Sequence, residues 1–227
     1  MKRSTAIITL LVMLPFTVFF AVETWSALTD HFSQLAAWFA NHKRAYYPWF
    51  MWVTAGAIIF PLMNKFWEKN IKFIKTSTHE HAHAIVAILL LQRVHSIHAE
   101  DKGSGMVTTS GNLRLGYLVT LAPYCFPFYT IGFMMLRSII IPTYYPIIDL
   151  VIGFTIGLHI VCFKEQTGNY QPDIQKFPLW FSYSYIAAIL VFITCLLLTA
   201  FLPTVNIFTA FKVFALDLWQ YLSAIFK

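Results

Sequence analysis

The stretch that decides the fold is Thr78-His79-Glu80-His81-Ala82-His83-Ala84, which leads directly into the apolar run Ile85-Val86-Ala87-Ile88-Leu89-Leu90-Leu91. An ionisable cluster beside an apolar run of this kind is typical of a functional site in a membrane protein. The fully apolar core at 84–91 is too short to cross about 30 Å of hydrocarbon, which takes about 20 residues. We therefore expect the segment at about 78–98 to be a helix that is surrounded by other parts of the chain.

The composition of the whole chain agrees with a membrane location. Of its 227 residues, 58% are hydrophobic and 11% are charged, whereas a soluble domain has about 45–50% apolar and about 25% charged residues. The three cysteines lie in apolar runs, which excludes a secreted disulfide scaffold. The net charge of +6 comes from basic residues in short loops, a pattern that favours an inner membrane surface over a nucleic acid. We expect a single polytopic membrane domain over residues 1–227, in contact with the lipid bilayer and with no nucleic-acid partner.

Apolar segments on both sides of the opening stretch predict six or seven membrane helices in total. Besides 78–98, the apolar runs lie at about 6–28, 46–66, 115–136, 138–163, 177–202 and 205–226. Pro123 and Pro127 should kink or break the fourth helix. The basic start Lys2-Arg3 could open a signal peptide, but its apolar run ends without an A-x-A cleavage site, so we expect a retained anchor. The last run could be a seventh span or a helix in the membrane interface.

A polar stretch after the third segment contains Gly103, Gly105 and Gly111 around a run with β-branched residues. Glycines that bracket such a run predict a short hairpin or re-entrant loop. A loop of this kind must be buried or water-lined if it lies at membrane depth. The expected fold is therefore an all-α integral membrane protein of about six to seven helices with one short re-entrant β-hairpin-like loop.

The residues His79, Glu80 and His83 form the pattern H-E-x-x-H. On a helix, positions i and i+4 share a face, so the two imidazoles can bind one Zn²⁺. Glu80 is next to the first ligand, where it can serve as the general base for an attacking water. His81 points away from this pair and is a poor ligand for the same site. The alternative interpretation is that the histidines form structural hydrogen bonds only.

A catalytic zinc has three protein ligands, so a third must come from elsewhere in the chain. Asp149 is the first candidate because it lies within an apolar run, where a carboxylate needs a metal, a cation or a hydrogen-bond donor. Gly153 and Gly157 follow on broadly the same helix face and would let that helix approach the helix of the H-E-x-x-H motif closely. An ion pair with Arg137, or a bond to a backbone amide, is the alternative role for Asp149.

Other residues stay open as ligands. His159 lies in the same run as Asp149 but about 80° away around the helix, so we expect it to be a polar packing contact. Asp173 follows a loop-like stretch and could be either a ligand or a helix N-cap. His95 and His98 lie about three to four helical turns beyond His83, too far to complete the same site from one helix.

These residues resemble the site-2-protease class of intramembrane zinc metalloproteases. The resemblance rests on the H-E-x-x-H at the mouth of a short apolar helix, the Gly/Ser/Thr hairpin after it, Leu121-Ala122-Pro123-Tyr124, and a later intramembrane Asp. It covers roughly residues 75–175 and is similar to a compact bacterial branch of that class. It implies hydrolysis of peptide bonds in membrane-embedded or membrane-anchored protein substrates, and a multi-pass location in a bacterial inner (cytoplasmic) membrane.

By this likeness, His79, His83 and Asp149 would hold the zinc and Glu80 would be the catalytic base. The hairpin would help to present the substrate as an extended strand. The chain departs from the family pattern because Leu150, not Gly, follows Asp149. The family's Asn-x-x-Pro spelling occurs instead at Asn169-Tyr170-Gln171-Pro172, directly before Asp173. Two other functions stay open: a non-enzymatic membrane protein that binds or transports a metal, and a catalytically inactive scaffold with the same fold.

Overall fold

The computed structural model describes residues 3–41, 49–100, 105–110, 116–201 and 207–225. Over these ranges the protein is mostly helical and has one two-stranded sheet. The elements are α1 (Arg3–Asn41), α2 (Trp49–Leu89), β1 (Arg93–Ala99), β2 (Gly105–Ser110), α3 (Gly116–Cys125), α4 (Phe128–Arg137), α5 (Tyr145–Gln166), α6 (Pro172–Gln175), α7 (Leu179–Ala200) and α8 (Ile207–Ile225). A short 3-10 turn, Pro142–Tyr144, precedes α5.

Three helical segments of the described chain are long and apolar enough to cross a membrane, namely Thr5–Asp30, Pro142–Gln166 and Leu179–Ala200. Helices α3 and α4 meet at 74° and add a fourth crossing if they count as one broken span. Their break falls at Phe126 and Pro127, because proline lacks the N–H that would continue the helix. This agrees with the break predicted from the prolines. The structure supports a membrane protein with three or four candidate spans in the described ranges and does not confirm six or seven.

Helix α2 joins two segments that the sequence separates. The described part of the apolar run, residues 49–66, and the H-E-x-x-H segment form one long helix, with a kink at Trp67 (φ −129°, ψ 34°). The helix ends at Leu89, earlier than expected, and Leu91 follows in a left-handed conformation (φ 57°). His95 and His98 therefore lie on strand β1 and not on a helix that continues to His98. Exposure along β1 roughly alternates from residue to residue, as it does in a strand with one covered face.

The predicted hairpin is present, and it packs against the end of α2. Strand β1 pairs antiparallel with β2, with Arg93 opposite Ser110 and Ala99 opposite Gly105. The register is irregular between Val94 and Ser96. The bend of the hairpin at 101–104, which includes Gly103, lies outside the described residues, as does Gly111. Along the chain, the hairpin lies between the H-E-x-x-H motif on α2 and the start of α3.

Helices α2 and α5 approach each other closely through small residues. A Cβ placed on Gly153 would lie 2.0 Å from the Val53 carbonyl oxygen, and one on Gly157 would lie 2.5 Å from the Ala57 oxygen. Gly56 on α2 is equally tight, since its Cβ would lie 2.0 Å from the Leu150 carbonyl oxygen. Backbones this close allow extensive dispersion contact between two helices. A helix does approach Gly153 and Gly157 closely, but it is the first half of α2, before the kink, and not the half with the H-E-x-x-H motif that the sequence predicts.

Candidate metal centre

The two histidines of the H-E-x-x-H motif face the same side of α2. The ring centroids of His79 and His83 are 4.9 Å apart, and each side chain is 11% exposed. The Tyr124 ring, from α3, packs nearly perpendicular to the His79 ring at a centroid distance of 5.4 Å. The helical spacing therefore places both imidazoles in one half-buried site, as the motif predicts.

Hydrogen bonds on the far side of each ring set the orientation of the two histidines. His83 Nδ1 lies 2.8 Å from the Val119 carbonyl oxygen. A carbonyl only accepts, so Nδ1 carries the proton and donates, which leaves the lone pair of the neutral ring on Nε2. His79 Nδ1 lies 3.2 Å from Gln166 Oε1 and takes the same tautomer when it donates to that oxygen. Zinc-binding histidines are oriented in this way by a second hydrogen bond.

The carboxylate that meets these two rings belongs to Asp173. Its Oδ2 lies 3.2 Å from His83 Nε2 and 3.5 Å from His79 Nε2. One atom from each of the three residues lies within 4.8 Å of the others, so His79, His83 and Asp173 form a candidate metal-binding group within the described residues. Two atoms that each bind a tetrahedral zinc at about 2.0–2.1 Å are about 3.3 Å apart. The spacing and the donor set, two imidazole nitrogens and one carboxylate oxygen, both fit zinc.

The loop after α5 carries Asp173 to the site. Tyr170 donates a hydrogen bond to the Glu165 carbonyl, and the Tyr183 hydroxyl donates to Asn169 Oδ1 at 2.6 Å. Lys176 Nζ lies 2.9 Å from Asp173 Oδ1, so the opposite oxygen is the one that faces the histidines. Burial alone would raise the pKa of Asp173, but interactions with His79, His83 and Lys176 outweigh it and hold the pKa well below its usual range. The carboxylate is therefore ionised whenever the protein is near neutral pH.

The structure does not bring Asp149 to the histidines, contrary to the expectation that it is the third ligand. The Arg137 side chain binds it instead, with Nε 2.6 Å from Oδ1 and Nη2 3.4 Å from Oδ2, and the carboxylate is fully buried. The Arg137 guanidinium also lies over the Tyr145 ring at 4.2 Å. Gln166, which contacts His79, is at the other end of α5, about 25 Å from Asp149 at about 1.5 Å per residue. The ion pair that the sequence offered as the alternative is the one formed.

Glu80 lies buried against the hairpin. A Cβ placed on Gly105 would lie 2.4 Å from Glu80 Oε1, so the carboxylate touches the first residue of β2. Burial is the main influence on the Glu80 carboxyl and raises its pKa, while the nearby His83 and His79 lower it in part. This part of α2 lies outside the candidate membrane spans. A carboxylate with a raised pKa beside two metal-type ligands is suited to proton transfer.

A cavity of about 480 Å³ opens in front of these side chains. It lies between the end of α2, strand β2, the start of α3 and the loop that carries Asp173. Its lining residues are Thr76, His79, Glu80, His83, Gly105, Met106, Val107, Thr109, Val119, Thr120, Gln166, Gln171, Pro172, Asp173 and Lys176. The cavity is large enough for several residues of an extended peptide.

The other histidines have separate surroundings. His81 Nδ1 lies 2.7 Å from the Tyr129 hydroxyl, on the side away from His79 and His83. His95 Nε2 lies 2.7 Å from Ser110 Oγ within the hairpin. His159 lines a second, much smaller cavity together with His79 and His81. His159 is not part of the metal group found in the described ranges, so the structure gives no support to its role as a ligand.

Comparison with known proteins gives one result. No curated protein and no solved structure matches the chain significantly. The family model described as Peptidase M50B-like matches residues 49–164, just over half of the chain. That match includes the H-E-x-x-H motif and ends before Asp173. The resemblance to site-2 proteases is thereby confirmed, and the chain belongs to the Peptidase M50B-like family.

Proposed function

We propose that the protein is an intramembrane zinc metalloprotease that hydrolyses peptide bonds of membrane-embedded or membrane-anchored proteins. The observation that carries the proposal is the convergence of His79 Nε2, His83 Nε2 and Asp173 Oδ2 at the mouth of a cavity, beside the buried Glu80. Membership of a peptidase family supports the reaction type. A multi-pass chain in an inner membrane, with its catalytic core within about residues 75–175, is part of the same proposal.

In this mechanism the metal ligands are His79, His83 and Asp173, in place of the set with Asp149. Bound zinc would supply Lewis-acid chemistry, lowering the pKa of water and polarising the scissile carbonyl. Val119 and Gln166 hold the two rings in the tautomer that presents Nε2 to the metal. Lys176 fixes the opposite oxygen of Asp173. Each ligand is thus held in place by a further protein group.

Glu80 is the general base of the proposed reaction. Its carboxylate takes a proton from water as the water oxygen bonds to the peptide carbonyl carbon. The same proton then passes to the amide nitrogen as the C–N bond breaks, which releases an amine and a carboxylic acid. The contact with Gly105 brings this base to the strand that lines the cavity. A peptide lying along β2 would therefore pass directly beside Glu80.

A protein that transports or senses metal has less support from the described residues. That function would use the remaining histidines as additional ligands. His81 is instead close to Tyr129, and His95 is close to Ser110. Neither of them belongs to the group that converges with His79.

Removal of the metal is expected to abolish cleavage reversibly. The purified chain should contain about one zinc when it is folded, in keeping with a single catalytic site. In proteoliposomes with fluorophore- and quencher-labelled single-span peptides, 1,10-phenanthroline should stop cleavage and Zn²⁺, but not Mg²⁺, should restore it. His83→Ala should lose zinc and activity, while His81→Ala serves as the matched control that keeps zinc. Cleavage that persists after complete removal of zinc would contradict the proposal.

Replacing Gly105 with Ala is expected to impair cleavage without loss of zinc. The added methyl group must displace the Glu80 carboxylate, since the two would otherwise lie 2.4 Å apart. A misplacement of about 1 Å at a catalytic group can cost about 100-fold in rate, so we expect a 10- to 100-fold lower kcat, roughly. Gly116→Ala is the control, because a methyl group there meets nothing within 4 Å. Wild-type kcat in Gly105→Ala would show that Glu80 tolerates the shift.

A further inference from the structure

A closed ring of polar side chains lies behind the candidate metal centre and takes no part in the proposed chemistry. Lys75 Nζ donates to Asn64 Oδ1 at 2.9 Å and to Glu165 Oε2 at 2.5 Å. Asn64 Nδ2 completes the ring by donating to Glu165 Oε1 at 2.7 Å. Lys75 is only 6% exposed, although lysine is rarely buried unless it is paired. A buried ammonium that is bonded to two partners holds the segments that carry those partners in fixed positions.

The ring joins three parts of the chain that would otherwise be independent. Asn64 lies before the kink at Trp67, and Lys75 lies after it on the same helix. Glu165 belongs to the last turn of α5. The ring therefore fixes the angle between the two halves of α2 and attaches the second half to the end of α5.

This attachment leads directly to one of the metal-binding histidines. Lys75, His79 and His83 are spaced by four residues and share one face of α2. Glu165 is the neighbour of Gln166, whose Oε1 lies 3.2 Å from His79 Nδ1. Tyr170 adds a hydrogen bond to the Glu165 carbonyl and holds this turn of backbone in place. A shift of Glu165 would thus move the group that orients His79.

We propose that Lys75 is a positioning residue of the metal centre, which acts through Glu165 and Gln166 on the ring of His79. The inference rests on the proposed zinc site and adds a residue that is remote from the ligands. Groups that orient a metal ligand typically change metal affinity by about 10- to 100-fold when they are replaced. Lys75 acts one step further out, and its effect is transmitted by the Glu165-Gln166 backbone.

A double-mutant cycle distinguishes this role from a general contribution to the fold. The zinc dissociation constant is measured by competition with a chelator, on the full-length protein in detergent, for wild type, Lys75→Met, Gln166→Leu and the double variant. We expect each single substitution to raise the zinc dissociation constant by about 10-fold or more. The dissociation constant of the double variant should be close to that of the single variant with the larger effect, because both residues act through the same contact. Lys72→Met, an exposed lysine of the same helix, is the matched control and should bind zinc as wild type does.

The Co²⁺-substituted protein gives a readout that stability alone does not change. Lys75→Met should shift the visible absorption bands of bound Co²⁺, because the orientation of His79 changes.

If Lys75→Met does not fold, Glu165→Gln keeps the size of the side chain and should weaken zinc binding in the same direction. Wild-type zinc affinity in a folded Lys75→Met, or effects that multiply in the double variant, would overturn the inference. Wild-type protein that binds no zinc would overturn the proposed function itself, so the two failures are distinguishable.

Discussion

Replacing Glu80 with Gln is expected to lower kcat by about 100- to 10,000-fold, the usual contribution of a general base. Gln has nearly the same size as Glu, so the contact with Gly105 and the packing of α2 should persist. The amide cannot accept the proton of the attacking water, so the assay should detect a lower rate of peptide cleavage. Zinc content should stay at the wild-type level because Glu80 is not one of the three converging ligands.

The measurement combines cleavage of labelled single-span peptides in proteoliposomes with the zinc content of the same preparation. Glu68→Gln is a suitable control, since Glu68 is an exposed carboxylate on the same helix. It should leave both cleavage and zinc unchanged. A Glu80→Gln protein with wild-type kcat would remove Glu80 from the mechanism, whereas one that lost its zinc would make Glu80 a ligand.

The two aspartates are expected to give opposite results when each is replaced by Asn. Asp173→Asn should lose most of its zinc and its activity, because an amide no longer supplies the anionic oxygen at 3.2 Å and 3.5 Å from the two Nε2 atoms. Asp149→Asn should keep its zinc but unfold more easily. Breaking a buried ion pair by removing one partner costs about 3–5 kcal/mol, since the other charge is left without compensation.

Zinc content and thermal unfolding in detergent, measured side by side, test this pair of expectations. Asp149→Asn leaves the Arg137 guanidinium with the Tyr145 ring but without its carboxylate. Its melting temperature should fall by several degrees at least. The combination that would refute the assignment is loss of zinc in Asp149→Asn together with full zinc in Asp173→Asn, because it would restore Asp149 as the ligand.

The sequence predicts those residues of the site that lie on a single helix, namely His79, Glu80 and His83. The four-residue spacing of His79 and His83 is enough to place both rings on one face, whatever the rest of the chain does. The position of the Asp173 carboxylate, the proposed third ligand, depends on how the loop after α5 folds back, which local spacing does not encode. The apolar run around Asp149 correctly indicated a buried carboxylate that needs a partner. Arg137 fills this need by an ion pair, as a metal ion also would. The Asn-x-x-Pro spelling at Asn169-Tyr170-Gln171-Pro172 was the sequence feature next to Asp173, the ligand proposed in place of Asp149.

The fold shows the same division between local and distant information. The break near Pro127 and the hairpin follow from proline and glycine positions and were predicted. The joining of two apolar runs into α2 was not, because the charged stretch between them looks like a loop. The early end of that helix at Leu89 was also missed, since leucines at 89–91 favour a helix that continues. Strand pairing after Leu91 prevails over that preference.

In the proposed metal centre, the carboxylate and the two imidazoles come from distant parts of the sequence. Asp173 follows His83 by 90 residues, and the family match at 49–164 ends before it. A nascent chain that has just completed α5 thus already carries both imidazoles and Glu80 but still lacks the carboxylate. Under the proposed function, peptide hydrolysis would therefore begin only after the loop that follows α5 has been synthesised and has brought Asp173 to the two histidines.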